Sequence, residues 1–193
     1  VQHLGIVPSK PQFADPDLIL QLPATLFGLP KVFQRRFGLD PSLQSTGYGV
    51  IESVGNGCAV HGYGTIKPRR ADELPIKLLG IKSAIEELIA RHSPEEVAVE
   101  NPFYARNIKT ALILGQVRGA ALVAVAGSGR PLFEYSPLEI KKAVTSYGHA
   151  EKDQVNAMVR TLLGIEEAVE EDASDALACA LCHLNTRLFQ KLL

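Results

Sequence analysis

Four carboxylates in this chain have the type and placement needed for phosphodiester chemistry. Asp40 ends the short apolar run Phe37-Gly38-Leu39, and Glu100 ends a second run, Val97-Ala98-Val99. Asp172 and Asp175 form a D-x-x-D that opens an Ala-rich segment. On a helix, an i, i+3 spacing puts two side chains on one face, with Cβ atoms about 5–6 Å apart. The first turn of a helix also carries the positive end of its dipole, which favours anions. Four acids gathered in one place raise one another's pKa or require cations. All-oxygen ligation selects hard ions such as Mg²⁺ or Mn²⁺, and two of them about 3.5–4 Å apart clamp both oxygens of a phosphodiester displacement. Singly, three of them have an ordinary reading: Asp172 and Asp175 as helix-start acids, Asp40 before Pro41 as a turn residue. Only their joint placement supports a metal site.

That placement depends on the elements. Thr46 to Val54 is strand-like, Gly55-Asn56-Gly57 suits a hairpin turn, and Cys58 to Lys67 returns as a third strand. Leu74 to His92 carries an amphipathic stripe at 74, 78, 81, 85, 88 and 89. Glu96 to Glu100 is a strand, Asn107 to Ala126 a long apolar helix, and Leu132 to Tyr135 a fifth strand. Ser136-Pro137 suits a helix start. Helices follow over 151–163 and from Asp172 to about Leu192. The order β-β-β-α-β-α-β-α-α-α predicts a five-stranded mixed α/β sheet, three antiparallel strands and then two parallel ones, with helices on both faces. If the first and fourth strands are parallel neighbours, about 4.8 Å apart, Asp40 and Glu100 meet at their carboxyl ends, where open α/β sheets bind ligands.

Composition bounds the rest. Of 193 residues, 46% are hydrophobic and 21% charged, which is ordinary globular usage. A net charge of −1 excludes a polycationic coat but not a local basic face. Apolar runs broken well before about 18 residues argue against a membrane span. Cys58, Cys179 and Cys182 are expected as reduced thiols of a cytoplasmic protein. Cys179-Ala180-Leu181-Cys182-His183 matches a haem-attachment string, but it falls inside the last helix and is expected to be core. Residues 1–36 hold five of the twelve prolines and show no sustained period. They are expected to form a loosely ordered extension, or to lie upstream of the true start, leaving 37–193 as the folded domain.

Six segments occur in a suggestive order: Phe37-Gly38-Leu39-Asp40-Pro41-Ser42, Thr46-Gly47-Tyr48-Gly49, Val97-Ala98-Val99-Glu100, Leu114-Gly115-Gln116-Val117-Arg118-Gly119, Ala150-Glu151-Lys152, and Asp172-Ala173-Ser174-Asp175-Ala176-Leu177-Ala178. Together they resemble the RuvC family of crossover (Holliday) junction endonucleases, which have an RNase H-like fold. The resemblance spans about Phe37 to His183. It implies that Asp40, Glu100, Asp172 and Asp175 bind two Mg²⁺ ions per subunit, with Mn²⁺ as a substitute. It also implies a homodimer that nicks four-way junction DNA symmetrically in recombination and repair, with the RuvA–RuvB branch-migration complex as partner. Another RNase H-like nuclease, acting on RNA or other branched DNA, is the alternative. Ser42 stands where many members have Gly.

Candidate phosphate contacts are Arg106, Lys109, Lys141, Lys142 and Lys152. Lys141 and Lys152 occupy places where the family has functional lysines. Phe103, just past Glu100, matches an aromatic thought to wedge into the junction. Lys67, Arg69 and Arg70 form a basic turn suited to solvent or to steering the DNA backbone.

Overall fold

The structure is a computed structural model, and it describes residues 34–55, 57–101 and 107–190. Three strands come first: β1 (Arg35–Asp40), β2 (Thr46–Val54) and β3 (Gly57–Ile66). Helix α1 (Leu74–His92), strand β4 (Glu96–Glu100), helix α2 (Ile108–Gly127) and strand β5 (Leu132–Tyr135) follow. The chain then runs through α3 (Pro137–Thr145), α4 (Lys152–Leu163) and α5 (Glu171–Gln190). The order is the one expected from the sequence periods. β1 takes in Arg35 and Arg36, two residues ahead of the expected domain start. The prolines of residues 1–33 lie outside the described residues.

The sheet order is β3-β2-β1-β4-β5. β1 pairs antiparallel with β2 and parallel with β4, and β5 extends the parallel half. Strand alternation sorts the side chains. Phe37, Leu39, Val50, Val97 and Val99 face α1 and α2, where Ile81, Ile85, Val117 and Ala121 close the core. Gly38, Gly49 and Ala98 face α5. Asp40 is two residues past Gly38, and Glu100 two past Ala98, so both acids share the α5 face.

Helix starts follow their capping chemistry. Ser136 and Glu139 form a reciprocal capping box at α3 with Pro137 at the first position, as its sequence predicts. α2 is different. By length and composition alone it is apolar enough to cross a membrane, which the run-length argument did not allow for. Here it lays Val117, Ala121, Ala124 and Val125 on the sheet, and Arg118 pairs with Glu134.

Behind the acid-bearing edge, α5 is pinned by a buried polar network. Glu96 Oε2 accepts from His183 Nε2 at 3.0 Å, and Oε1 accepts from Arg187 at 2.8 Å. Arg36 Nε lies 3.2 Å from the same carboxylate. His183 Nδ1 lies 2.7 Å from the Tyr135 hydroxyl, so a neutral ring that donates to Glu96 accepts from Tyr135. Burial pushes the Glu96 carboxyl up, but the His183 hydrogen bond, the Arg36 charge and Arg187 more than offset it and hold it at about 2. Truncating one member of such a set strands the others. Glu96→Ala is therefore expected to cost about 3–5 kcal/mol, read as a lowered urea midpoint. A midpoint within error of wild type would show that the network does not hold α5.

The haem-like string falls in this core. Cys179, Cys182 and His183 are fully buried, the two thiols are free, and His183 is occupied by Tyr135 and Glu96. His61 pairs with Glu52 at 2.6 Å, and His149 packs edge-on against Tyr147.

Candidate active site

Parallel pairing of β1 with β4 matches Leu39 with Val99. The next residue on each strand is an acid, Asp40 or Glu100. The antiparallel partner of Asp40 is Gly47. A Cβ at Gly47 would lie 1.8 Å from the Asp172 carbonyl oxygen. A Cβ at Gly38 would lie 2.0 Å from the Ala176 carbonyl oxygen, and one at Gly49 would press on Leu177. These three glycines let the α5 backbone rest directly on β1 and β2, and that contact delivers Asp172 and Asp175 to the edge where Asp40 and Glu100 end. Asp172 is in the first turn of α5. Asp175 is one turn on, since the helix begins at Glu171, a residue earlier than the sequence suggested.

The electrostatics tie the four acids together. Burial, then Glu100, Asp175 and Asp172 in turn, push the Asp40 carboxyl up to about 8, with Lys152 opposing. Burial and Asp175 raise Glu100 to about 7, against Lys152 and Lys141. Burial also raises Asp175, partly countered by Lys152. Asp40 and Glu100 are thus half-buried carboxylates whose ionised forms the nearby lysines only partly favour.

The basic candidates divide. Lys152, the first residue of α4, pairs with Glu171 and lies 3.6 Å from Asp175 Oδ2. Lys141 in α3 donates to the Ala150 carbonyl at 2.7 Å, which ties down the loop leading to Lys152. Lys142 is its neighbour on the same helix. Lys109 is exposed in the first turn of α2, where Asn107 caps its backbone N–H at 2.8 Å. It makes no contact with the acids among the described residues. Phe103 and Arg106 lie outside the described residues.

Sequence reasoning missed two contributors. One is the glycine seat under α5, although Gly38, Gly47 and Gly49 share a face by strand parity. The other is Glu171, the partner of Lys152, which gave no signal beyond being one more acid in a helix start.

The donor set fits a hard divalent cation: four carboxylates, no thiol or imidazole, and a local excess of negative charge. Among the described residues, no three His, Cys, Asp or Glu side chains stand as a ready-made cage. Two positive charges near the acids, Lys152 and Lys141, leave repulsion among four carboxylates only partly relieved.

A family model described as "Crossover junction endodeoxyribonuclease RuvC" matches residues 37–183. A protein of that name from Magnetococcus marinus is 45% identical over 153 residues, 79% of this chain and 85% of the relative. One from Geobacter metallireducens is 45% identical over 152 residues, covering 79% and 93%. Among solved structures, "T. thermophilus RuvC in complex with Holliday junction substrate" superposes with a TM-score of 0.77 at 32% identity, over 81% of this chain and 96% of that one. The yeast mitochondrial Holliday junction resolvase shares the fold, with a TM-score of 0.64 at 13% identity over 92% and 86% of the two chains.

Proposed function

This chain belongs to the RuvC family of crossover junction endodeoxyribonucleases, a Holliday-junction resolvase by that membership, and we propose that Asp40, Glu100, Asp172 and Asp175 are its hydrolytic centre. One observation carries the assignment. Two half-buried acids at adjacent parallel strand ends face a helix start seated on Gly47, and each of the other three acids pushes the Asp40 carboxyl up.

The four carboxylates would hold two Mg²⁺ ions per subunit, with Mn²⁺ able to substitute. Bound there, the metal supplies water activation and neutralises charge on the leaving 3′ oxygen. The chain's own residues do the positioning. The rigid strands fix Asp40 and Glu100, and the glycine contacts fix the height of α5. Lys152 sits where its ammonium can meet a phosphate oxygen beside Asp175, and Lys141 holds the loop that delivers it. Phe103 would stack on an unpaired base and Arg106 would contact phosphate, as would Lys109 and Lys142.

Paired nicking needs two sites facing equivalent strands, and hence a two-fold dimer. Support for α2 as the seam comes from its uncovered apolar face: Ile108 is 81% exposed, Leu112 65% and Val123 58%. A Cβ at Gly115 or Gly119 would meet nothing within 4 Å, so no contact among the described residues accounts for those two glycines. RuvA–RuvB is the proposed partner complex, and the cytoplasm the proposed site of action.

The test is incubation with a synthetic four-way junction, with and without Mg²⁺, and separation of the strands on a denaturing gel. Paired nicks in two strands of like polarity are expected only with Mg²⁺. Equal cutting of RNA–DNA hybrids or linear duplex would overturn the junction assignment. Junction affinity should also fall linearly with salt on log–log axes, and a flat response would refute phosphate recognition.

A further inference from the structure

We propose that the turn joining β3 to α1 is a second phosphate-backbone site. Arg69 and Arg70 are its contacts, and Lys67 is a third that Glu170 keeps masked. This rests on the junction-endonuclease reading and extends the DNA footprint beyond the catalytic edge.

Strand register places the turn. Asp40 pairs with Gly47, Gly47 with Thr65, and Thr46 with Ile66. The end of β3 therefore lies at the same end of the sheet as the acids, two strands away from Asp40. The turn begins at the next residue, Lys67. DNA held at the acids and running across β2 reaches it.

Charge distinguishes the turn from ordinary solvated surface. No acid occurs from Gly57 to Ala71. Arg69 and Arg70 are exposed, and neither is in an ion pair among the described residues. On α1, by contrast, Lys82 is neutralised by Glu86 and Arg91 by Glu87, each at 2.6 Å. The turn is also ordered. Asp72 N–H donates to the Arg69 carbonyl at 3.1 Å, and Lys77 Nζ donates to the Arg70 carbonyl at 3.0 Å, adding another positive charge. Asp72 and Glu73 follow at the start of α1, where the helix dipole favours acids.

Lys67 is the exception. Its ammonium lies 2.7 Å from Glu170 Oε2, and Thr65 donates to the same oxygen at 3.0 Å. Both partners are more than half exposed, at 55% and 62%. A phosphate approaching Lys67 therefore meets a neutral pair, which releases no counter-ion.

The experiment measures junction affinity of the full chain in EDTA across a salt series, and repeats it on linear duplex. Each phosphate contact contributes a slope of about 0.9 in log K against log salt. R69Q/R70Q is expected to lower the slope by about 1.8 and weaken binding about tenfold or more at 0.1 M salt. R69K/R70K should restore both, which a structural role for the arginines would not explain. Glu170→Gln should steepen the slope by about 0.9, and adding K67A should cancel that gain. Unchanged slopes in R69Q/R70Q, with junction binding and cutting by the wild type intact, would overturn this site alone. If the wild type shows no junction preference, the junction reading fails, and the duplex series still decides whether the turn binds phosphate. Absence of any DNA binding would overturn both.

Discussion

Asp40→Asn is expected to lose at least about 10³-fold in junction cleavage, roughly 4 kcal/mol of transition-state stabilisation. Glu100→Gln should do the same, and both should still bind the junction. The substitution keeps the shape of the side chain and removes a charge that the metal needs. It also removes a charge the metal-free fold tolerates badly. Burial and the neighbouring acids raise the Asp40 carboxyl to about 8, so between about pH 4 and pH 8 the native state binds more protons there than the unfolded chain. Stability of the metal-free wild type must then fall as pH rises through that window. Asp40→Asn lacks this penalty, so in EDTA at pH 8 it should melt above wild type, and the difference should shrink towards pH 5. Mg²⁺ should raise the wild-type melting temperature by mass action and leave Asp40→Asn almost unmoved. Wild-type cleavage by the variant would remove Asp40 from the centre. A metal-free variant that melts below wild type at pH 8 would show that the buried charge is not strained.

The contrast between what local pattern revealed and what it hid has a physical cause. Period-two and period-3.6 repeats report which side of an element is buried, so the element order and the antiparallel-then-parallel sheet were legible in the sequence. So was the meeting of Asp40 with Glu100, because parallel pairing of two runs that each end in an acid leaves little choice. The helix-borne pair was legible as a motif but not in its height above the sheet. That height is set by missing side chains at Gly38, Gly47 and Gly49 against a helix more than 120 residues further along, a tertiary fact with no local period. The pairing of Lys152 with Glu171 was hidden for the same reason: one residue starts α4, the other starts α5, and only the packed fold brings the two helix ends together. α2 was legible as a long apolar helix, but its composition alone also suits a bilayer, and only the packed fold shows which of its residues lie on the sheet.

The glycine seat can be tested directly with Gly47→Ala, whose added methyl meets the shortest contact of any glycine among the described residues. A Cβ there would lie 1.8 Å from the Asp172 carbonyl oxygen and 2.4 Å from its carbonyl carbon. Both are backbone atoms, so no rotamer change relieves the clash. Carbon contacts settle near 3.5 Å, so α5 must withdraw by roughly 1.5 Å or β2 must bend away. α5 is the most buried helix of its layer, with Ala176 to Cys182 all at 4% exposure or less, and withdrawal loosens the core along its length. Overpacking of this kind costs about 3 kcal/mol, the upper end of the usual range. The same displacement carries Asp172 and Asp175 away from Asp40 and Glu100, and misplacement by about 1 Å can cost about 10²-fold in rate. Gly80→Ala is the matched control: Gly80 is at an exposed position on α1, where a Cβ meets nothing within 4 Å. It should gain about 0.5–1 kcal/mol from helix propensity and leave cleavage as it was. Wild-type cleavage and melting in Gly47→Ala would mean that α5 does not rest on β2 here, and that the helix-borne acids reach the strand ends some other way.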